Sequence, residues 1–365
     1  MKKIISSIAL ASVFSVFVSC GSERQGGQEN TETETTEEMP KDRISLVRDD
    51  ANRKVDVLID GELFTAYRYP ENIMKPVLYP LTTPQGTLIT RKFPMEKGEG
   101  ERVDHPHHAG VWFNYGDVNG LDFWNNSEAI PEEKKDKYGT IYHREIIGMS
   151  DGDDIATLQT GMDWTAPDGK VLLKENTQFV FGVTEEYRFI DRYTTLVAQD
   201  EAVSFDDNKE GVLGIRVTRA LEHPSDKPEV FTDANGISTG VPVINNDGVN
   251  GNYISSNGVE GTDTWGKRAD WINLTSSIGD EKISLVILDH PKNVGYPTYW
   301  HARGYGLFAA NPLGQKVFSD GKEELNFKLE PGEEVTFRHR IIIASDMLDK
   351  TKLDAEFQNF ASVKM

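Results

Sequence analysis

The sequence predicts an all-β protein, a large multi-stranded antiparallel β-sandwich with a short carboxyl-terminal helix. Three observations predict it. From Ile44 onward, short runs of β-branched and aromatic residues alternate with Gly, Asn, Asp and Pro. Helical periodicity is scarce, and there is no βαβ alternation, phosphate-cradling glycine loop or fixed-period repeat. The first element is a hairpin, Val55 to Ile59 and Leu63 to Tyr69, broken at Asp60-Gly61. Strands are then expected at Thr157 to Asp163, Val171 to Phe181, Glu185 to Val197 and Val212 to Thr218, and later at Ile283 to Leu288, Leu325 to Leu329 and Val335 to Ile343. Pro167-Asp168-Gly169, Asn235-Gly236, Asp247-Gly248, Asn257-Gly258, Asp320-Gly321 and Pro331-Gly332 supply turns. A short helical piece is expected within Ser127 to Lys137. A second helix is expected within Ser345 to Val363, where Leu348, Leu353, Phe357 and Phe360 share a face and Asp346 and Asp349 suit the helix dipole. Residues 43–365 are too many for one small sandwich of ~100 residues. Either two sandwiches pack together or one very large sheet pair forms, and a single large domain is the expectation adopted.

The chain has 365 residues and a formal net charge of -20, with 39 basic and 59 acidic side chains. It offers no basic patch to follow a phosphate backbone, so nucleic acid is not an expected partner. The single cysteine, Cys20, precedes the folded part, which removes disulfides, thiolate zinc sites and cysteine nucleophiles from it. Residues 1–19 read as an export signal, with Lys2 and Lys3 before an apolar stretch too short to span a bilayer comfortably. That stretch ends Phe17-Val18-Ser19-Cys20-Gly21, which resembles a bacterial lipobox although Phe17 stands where leucine is usual; Cys20 is then the lipidated first residue. Residues 20–42 are acidic and almost without apolar side chains, as in a disordered tether. No later apolar run of ~18 residues exists, so the membrane is met through the amino-terminal lipid only. Ser22 after the cysteine is not the aspartate some bacteria use for inner-membrane retention, so the expected location is the cell envelope, at the outer membrane of a Gram-negative bacterium.

Chemistry concentrates in two segments. In Asp104 to Trp124, three of the eight histidines, His105, His107 and His108, fall within four positions. Pro106 fixes the backbone there, and Gly110 permits a sharp turn into an aromatic strand. If His108 begins that strand, His107 and His108 point to opposite faces. The second segment runs from Asp289-His290-Pro291 to Asn311. His301 and Arg303 are two apart on an extended stretch and share a face, with Tyr299, Trp300 and Tyr305 nearby. Flat aromatics beside Asn, Asp, His and Arg suit a sugar ring, whose C–H faces are apolar and whose edges carry hydroxyls. An acid-His-Pro triplet occurs at Asp104, Glu222 and Asp289; the Glu222 copy reads best as a strand-ending turn.

These residues also resemble a known family. Pro76-Val77-Leu78-Tyr79-Pro80, Pro84-Gln85-Gly86 and Thr90-Arg91, followed by Asp104 to Trp124, look like the bacterial family labelled PmoA-like, or "methane oxygenase PmoA". So do Trp265-Gly266-Lys267-Arg268-Ala269-Asp270-Trp271, Asp289-His290-Pro291 and Trp300 to Pro312. Ala109 departs from the arginine common in that family, so a contact made by that arginine does not carry over. The resemblance implies an exported, β-rich bacterial protein that often accompanies sugar oxidoreductases and glycan-degrading proteins. It does not imply the membrane-embedded monooxygenase subunit of the same name, since no spanning segment follows the signal. By analogy of architecture, the chain is also similar to the galactose mutarotase-like large sandwiches, which bind carbohydrate in a concave sheet.

Three functions fit these residues. The first is a carbohydrate-active enzyme without a redox cofactor, of epimerase, lyase or hydrolase type. His107, His108 and His301 would move protons, Asp104 or Asp289 would orient a histidine, and Arg303 and Arg268 would hold substrate oxygens. Trp112, Asp117, Asn119, Asp122, Trp124, Trp300, Tyr305 and Asn311 complete the expected binding set. The second is a glycan-binding protein without turnover, with Trp112, Trp124, Trp265 and Trp300 as platforms. The third is an enzyme with a divalent metal held by histidines and Asp117 or Asp122, although no compact ligand motif such as His-Glu-x-x-His occurs. No metal ligand is therefore assigned, and the sequence carries no sign of an oligomeric state.

Overall fold

Alternating apolar and polar positions sort the strands into two eight-stranded antiparallel sheets in the computed structural model, which describes residues 42–363. The first sheet runs, in spatial order, Ile44–Asp49, Lys54–Ile59, Glu62–Arg68, Val77–Leu81, Val111–Tyr115, Gly211–Arg216, Leu307–Asn311 and Tyr299–Arg303. The second runs Asn252–Ser255, Trp271–Ile278, Glu281–Leu288, Glu334–Ala344, Tyr187–Ala198, Val171–Val183, Ile155–Thr165 and Thr140–Ser150. One continuous apolar core lies between them. Phe113 of the first sheet meets Trp164 and Phe337 of the second at ring distances of 6.4 and 5.4 Å, and Tyr67 meets Phe179 at 5.8 Å. The expected all-β sandwich is therefore the observed fold.

The helix Lys350–Ser362 lays Leu353, Phe357 and Phe360 on the outer face of the second sheet, against Tyr187, Phe189, Tyr193 and Trp271. It starts later than the apolar spacing suggests. Ser345 Oγ is tied to Glu281 and Leu348 N to Ser284 Oγ, and Asp349 then caps the helix by accepting from Lys352 N at 2.8 Å. The helix expected within Ser127 to Lys137 is only a 3-10 turn, Glu132–Lys137, with no buried side chain to dock it. The late strand expected from Leu325 shrinks to Phe327–Leu329, paired with Val203–Phe205.

A smaller apolar cluster covers the outer face of the first sheet: Val77, Tyr79, Ala109, Trp112, Trp124, Leu307 and Ala309. The edge strand Tyr299–Arg303 on that sheet is clamped by the segment before it. Trp300 N donates to Lys267 O at 3.2 Å, and Gly266 N donates to Trp300 O at 2.9 Å. No helix among the described residues is long and apolar enough to cross a membrane. Cys20, the export signal and the tether up to residue 41 lie outside the described residues.

Candidate functional site

The site lies on the outer face of the first sheet, and strand alternation explains how it is reached. Along Tyr299–Arg303, Trp300 and Ala302 enter the core between the sheets, which leaves His301 and Arg303 on the outside. The segment Asp104 to Gly110 folds over the same face. His108 N donates to His105 O at 2.9 Å, closing a turn that carries the histidines. Gly110 ends it with φ +57, and a Cβ there would stand 2.2 Å from Leu78 O, so only glycine fits. Gly214 is the second required glycine, because a Cβ would press on Trp112 and Trp124 at 2.6 and 2.9 Å. The result is a cleft of about 530 Å³ with His105, His107 and His108 on one wall and His301, Arg303 and Tyr305 on the other. Asn125, Lys209 and Glu210 complete it.

Four rings form a stack that runs from Tyr305 into the first wall. Tyr305 lies 5.1 Å from His105 at 3°, His105 lies 4.8 Å from His108 at 4°, and His108 lies 5.2 Å from Trp112 at 20°. Beneath the stack sits a charge cluster. Asp104 Oδ1 accepts from Arg91 Nη1 at 2.7 Å and from Arg216 Nη2 at 2.8 Å, both arginines being buried. Its other oxygen accepts from His105 Nδ1 at 2.7 Å. Burial alone would raise the Asp104 carboxyl; the His105 hydrogen bond and the Arg216 and Arg91 charges outweigh it and hold the group well below the usual carboxylate range. Asp104 is thus a fixed anion that orients His105 by accepting the hydrogen bond of its Nδ1–H.

The other three histidines of the cleft are held neutral. Burial, then the Arg303 charge, pushes His301 down to about 3; burial, then Lys75, pushes His107 down to about 2. His301 Nδ1 donates to Lys209 O at 2.9 Å, so its lone pair is on Nε2, while Glu210 Oε2 lies 3.7 Å from Nδ1. His108 is fully buried and accepts from Arg216 Nη1 at its Nδ1, 3.2 Å away; burial first, then His107, keeps it well below the ordinary imidazole value. Lys75, buried against Trp112, donates to His107 O at 2.7 Å, and burial lowers it to about 7. Arg303 stays exposed, 5.6 Å from the Trp265 ring and 5.9 Å from the Tyr305 ring.

The structure gathers some of the expected residues and disperses others. His107, His108, His301, Arg303 and Tyr305 line the cleft, and Asp104 stands behind it. His107 and His108 do not face opposite ways: the strand begins only at Val111, both lie in the preceding turn, and their rings are 4.3 Å apart. Asp104 pairs with His105 rather than with His107 or His108. Asp289 is elsewhere, fully buried and bonded to Asn293 Nδ2 and Thr298 N. Arg268 does not reach the cleft; it holds the carbonyls of Gly295 and Pro297 and pairs with Glu323. Trp112, Trp124 and Trp300 are completely buried packing residues, so none is a platform. Asp117 closes a turn by accepting from Gly120 N, Asn119 ties that turn to the distant strand Val203–Phe205 by accepting from Ser204 N, and Asn311 is buried and bonded to Asn208 O. Asp122 acts at one remove, accepting from Asn125 N and Nδ2 at 2.8 Å each and so fixing a residue that lines the cleft.

Asn125, Lys209, Glu210, Lys75, Arg91 and Arg216 were not expected at the site. Arg91 falls in the Thr90-Arg91 stretch that carries the family resemblance; the others come from turns and strands with no local motif, and only their three-dimensional neighbours mark them. His105 did carry a signal, an acidic residue directly before it and Pro106 directly after. Among the described residues, no three His, Cys, Asp or Glu side chains are grouped so as to hold a metal ion.

No curated protein is similar to the chain in sequence. Among solved structures, the galactosidase domain of an alpha-galactosidase-sucrose kinase aligns over 82% of this chain at 7% identity and a TM-score of 0.39, and the chain spans 42% of that one's length. A galactose mutarotase related enzyme from Lactobacillus acidophilus aligns over 82% of this chain and 97% of its own at 10% identity, with a TM-score of 0.31. A galactose mutarotase-like protein from Clostridium acetobutylicum aligns over 83% of this chain and 98% of its own at 11% identity, with a TM-score of 0.30. The family model that matches residues 54–358 is described as a family of unknown function, DUF6807, with no oxygenase label, and the chain belongs to that family.

Proposed function

We propose that the cleft binds a carbohydrate and carries out acid-base chemistry on it without a redox cofactor, as an epimerase, lyase or hydrolase. The observation that carries this is the meeting, in one cleft of about 530 Å³, of an aspartate-backed histidine, three neutral histidines, an arginine and an aromatic ring from distant parts of the chain. A volume of this size suits a small-molecule ligand. His105 is the proton-transfer residue: its Nε2 takes a proton from a sugar C–H or O–H, and Asp104 stabilises the imidazolium formed. His301 and His107, neutral near pH 7, hold hydroxyls and relay protons. Arg303, Lys209 and Asn125 supply donors to ring, carbonyl or carboxylate oxygens. Tyr305, with one face on His105, offers its remaining edge to the ligand.

The test uses the chain from Asp42 onward, incubated with a panel of glycosides that includes ones oxidised to a ring ketone, with products followed by NMR. Turnover is expected, with His105→Ala losing about 10²-fold or more. Saturation by a glycan with no product would make the protein a binder, and neither turnover nor saturation would remove the carbohydrate reading. Retention of a stoichiometric transition metal after purification without added metal, with activity lost on chelation, would favour the metal-dependent alternative and the oxygenase label.

The same proposal places the domain at the cell envelope through a lipid on Cys20. Labelling of cells with a fatty-acid probe should mark the wild-type chain and not Cys20→Ser, and an unlabelled wild-type chain would reduce the amino terminus to a plain secretory signal.

A further inference from the structure

A second chamber of about 500 Å³ adjoins the cleft, and Arg303 and Tyr305 line both. Its floor is preset. Arg102 is fixed between Glu222 and Glu229, at 2.9 Å from each, so the acid-His-Pro triplet at Glu222 serves as a strut with its histidine turned to the chamber. His223 Nδ1 is engaged with Pro224 O at 3.0 Å, which leaves the other ring nitrogen without a partner among the described residues. Across from it, half-buried Trp265 contributes a flat ring, with Asp226 and Thr262 at the rim.

We infer that the ligand is a disaccharide or longer glycoside, with one sugar unit in the histidine cleft, a second against Trp265 and His223, and the connecting linkage over Arg303 and Tyr305. This rests on the carbohydrate reading of the cleft and extends it to ligand length. Each chamber alone has the volume of a small-molecule site. Each also has its own aromatic surface and its own hydroxyl-binding edges, and a ligand confined to the first would leave the second without a use. The exposed guanidinium of Arg303 lies within 6 Å of both Trp265 and Tyr305, where a bridging glycosidic oxygen would pass.

The second chamber can be filled without touching the first. A Cβ at Gly304 would meet His223 and Thr262 at 3.5 Å, an ordinary contact, so Gly304→Phe projects a ring into the chamber. Thr262→Trp, from the exposed rim, does the same from another element and serves if the first variant folds poorly. Methyl glucosides and galactosides would be titrated by NMR against the disaccharide methyl glycosides that extend each by one hexose. At least one disaccharide should bind the wild-type chain about tenfold tighter than its own monosaccharide, and either variant should abolish that gain while leaving monosaccharide binding unchanged. If mono- and disaccharides saturate alike, or a variant weakens both equally, ligand length is overturned while the carbohydrate reading stands. If no glycoside saturates the protein, both fall together.

Discussion

Asp104-His105-Pro106 and Asp289-His290-Pro291 spell the same three residues, yet the structure puts them in opposite electrostatic settings. Asp104 is a third exposed at its side chain, faces two arginines and bonds the histidine next to it. Asp289 is wholly buried and, among the described residues, has no lysine or arginine paired with it; it accepts from Asn293 and Thr298 N, and its nearest imidazole is His339 at 3.9 Å. Burial pushes the Asp289 carboxyl up to about 7, whereas Asp104 is held far down. His290 turns away as well, accepting from Lys292 N and lying edge-on to Phe360. A short motif fixes a turn; the charges that converge on it from elsewhere in the chain decide whether it can do chemistry.

The sharpest way to break this comparison is to remove each aspartate. Asp104→Ala should cost about 10²-fold or more in turnover and about 2–3 kcal/mol in stability, because Arg91 and Arg216 would stay buried without their anion; partial exposure of Asp104 keeps the figure low. Denaturant unfolding and turnover of a confirmed substrate would measure both, and full activity in this variant would end the role given to His105. Asp289→Asn should leave turnover unchanged but alter the pH dependence of stability. A carboxyl whose folded value is raised costs stability as pH climbs from about 4 to about 7, so the wild-type chain should lose on the order of a few kcal/mol across that window from this group, and the variant should not. An identical pH profile in the two proteins would mean that Asp289 has a normal carboxyl.

A subtler effect concerns the cleft imidazoles. His301 and His107, depressed to about 3 and about 2, should remain neutral by imidazole NMR from pH 7 to pH 5. Buried neutral histidines stabilise the fold above their unfolded value and lose that contribution as pH falls below about 6.5. Either resonance titrating near 6.5 would show a wetter cleft. The smallest effect on turnover is expected at His290→Ala: activity unchanged, with about 1–2 kcal/mol of stability lost because the ring is buried against Phe360, in contrast to the large loss of activity at His105→Ala.

Much of the fold was legible because strand signals are local. The hairpin at Asp60-Gly61 pairs Ile59 with Glu62 as its turn residues require, and the long strands around Phe179 and Ile341 follow their apolar patterns. The site was legible only in outline. Clustering of histidines and the two-residue spacing of His301 and Arg303 pointed to the right segments, since period-two geometry holds within a strand. It failed at His107 and His108, which precede the strand, and at Trp300, which the same alternation sends into the core beside His301. Arg216 and Glu210 left no local trace, because their roles depend on pairing between Gly211–Arg216 and its neighbours on the sheet.

The clamp on Tyr299–Arg303 has a further consequence. Terminal strands of open sheets present unpaired N–H and C=O groups that can recruit another chain and seed fibrils. Here the Gly266 to Ala269 segment supplies partners from within the molecule, so the strand that carries His301 offers little template for such growth. At Thr298 to Trp300 the hydrogen-bonding capacity of that edge is thus taken up within the molecule, by Gly266, Lys267 and Ala269, none of which lines the cleft.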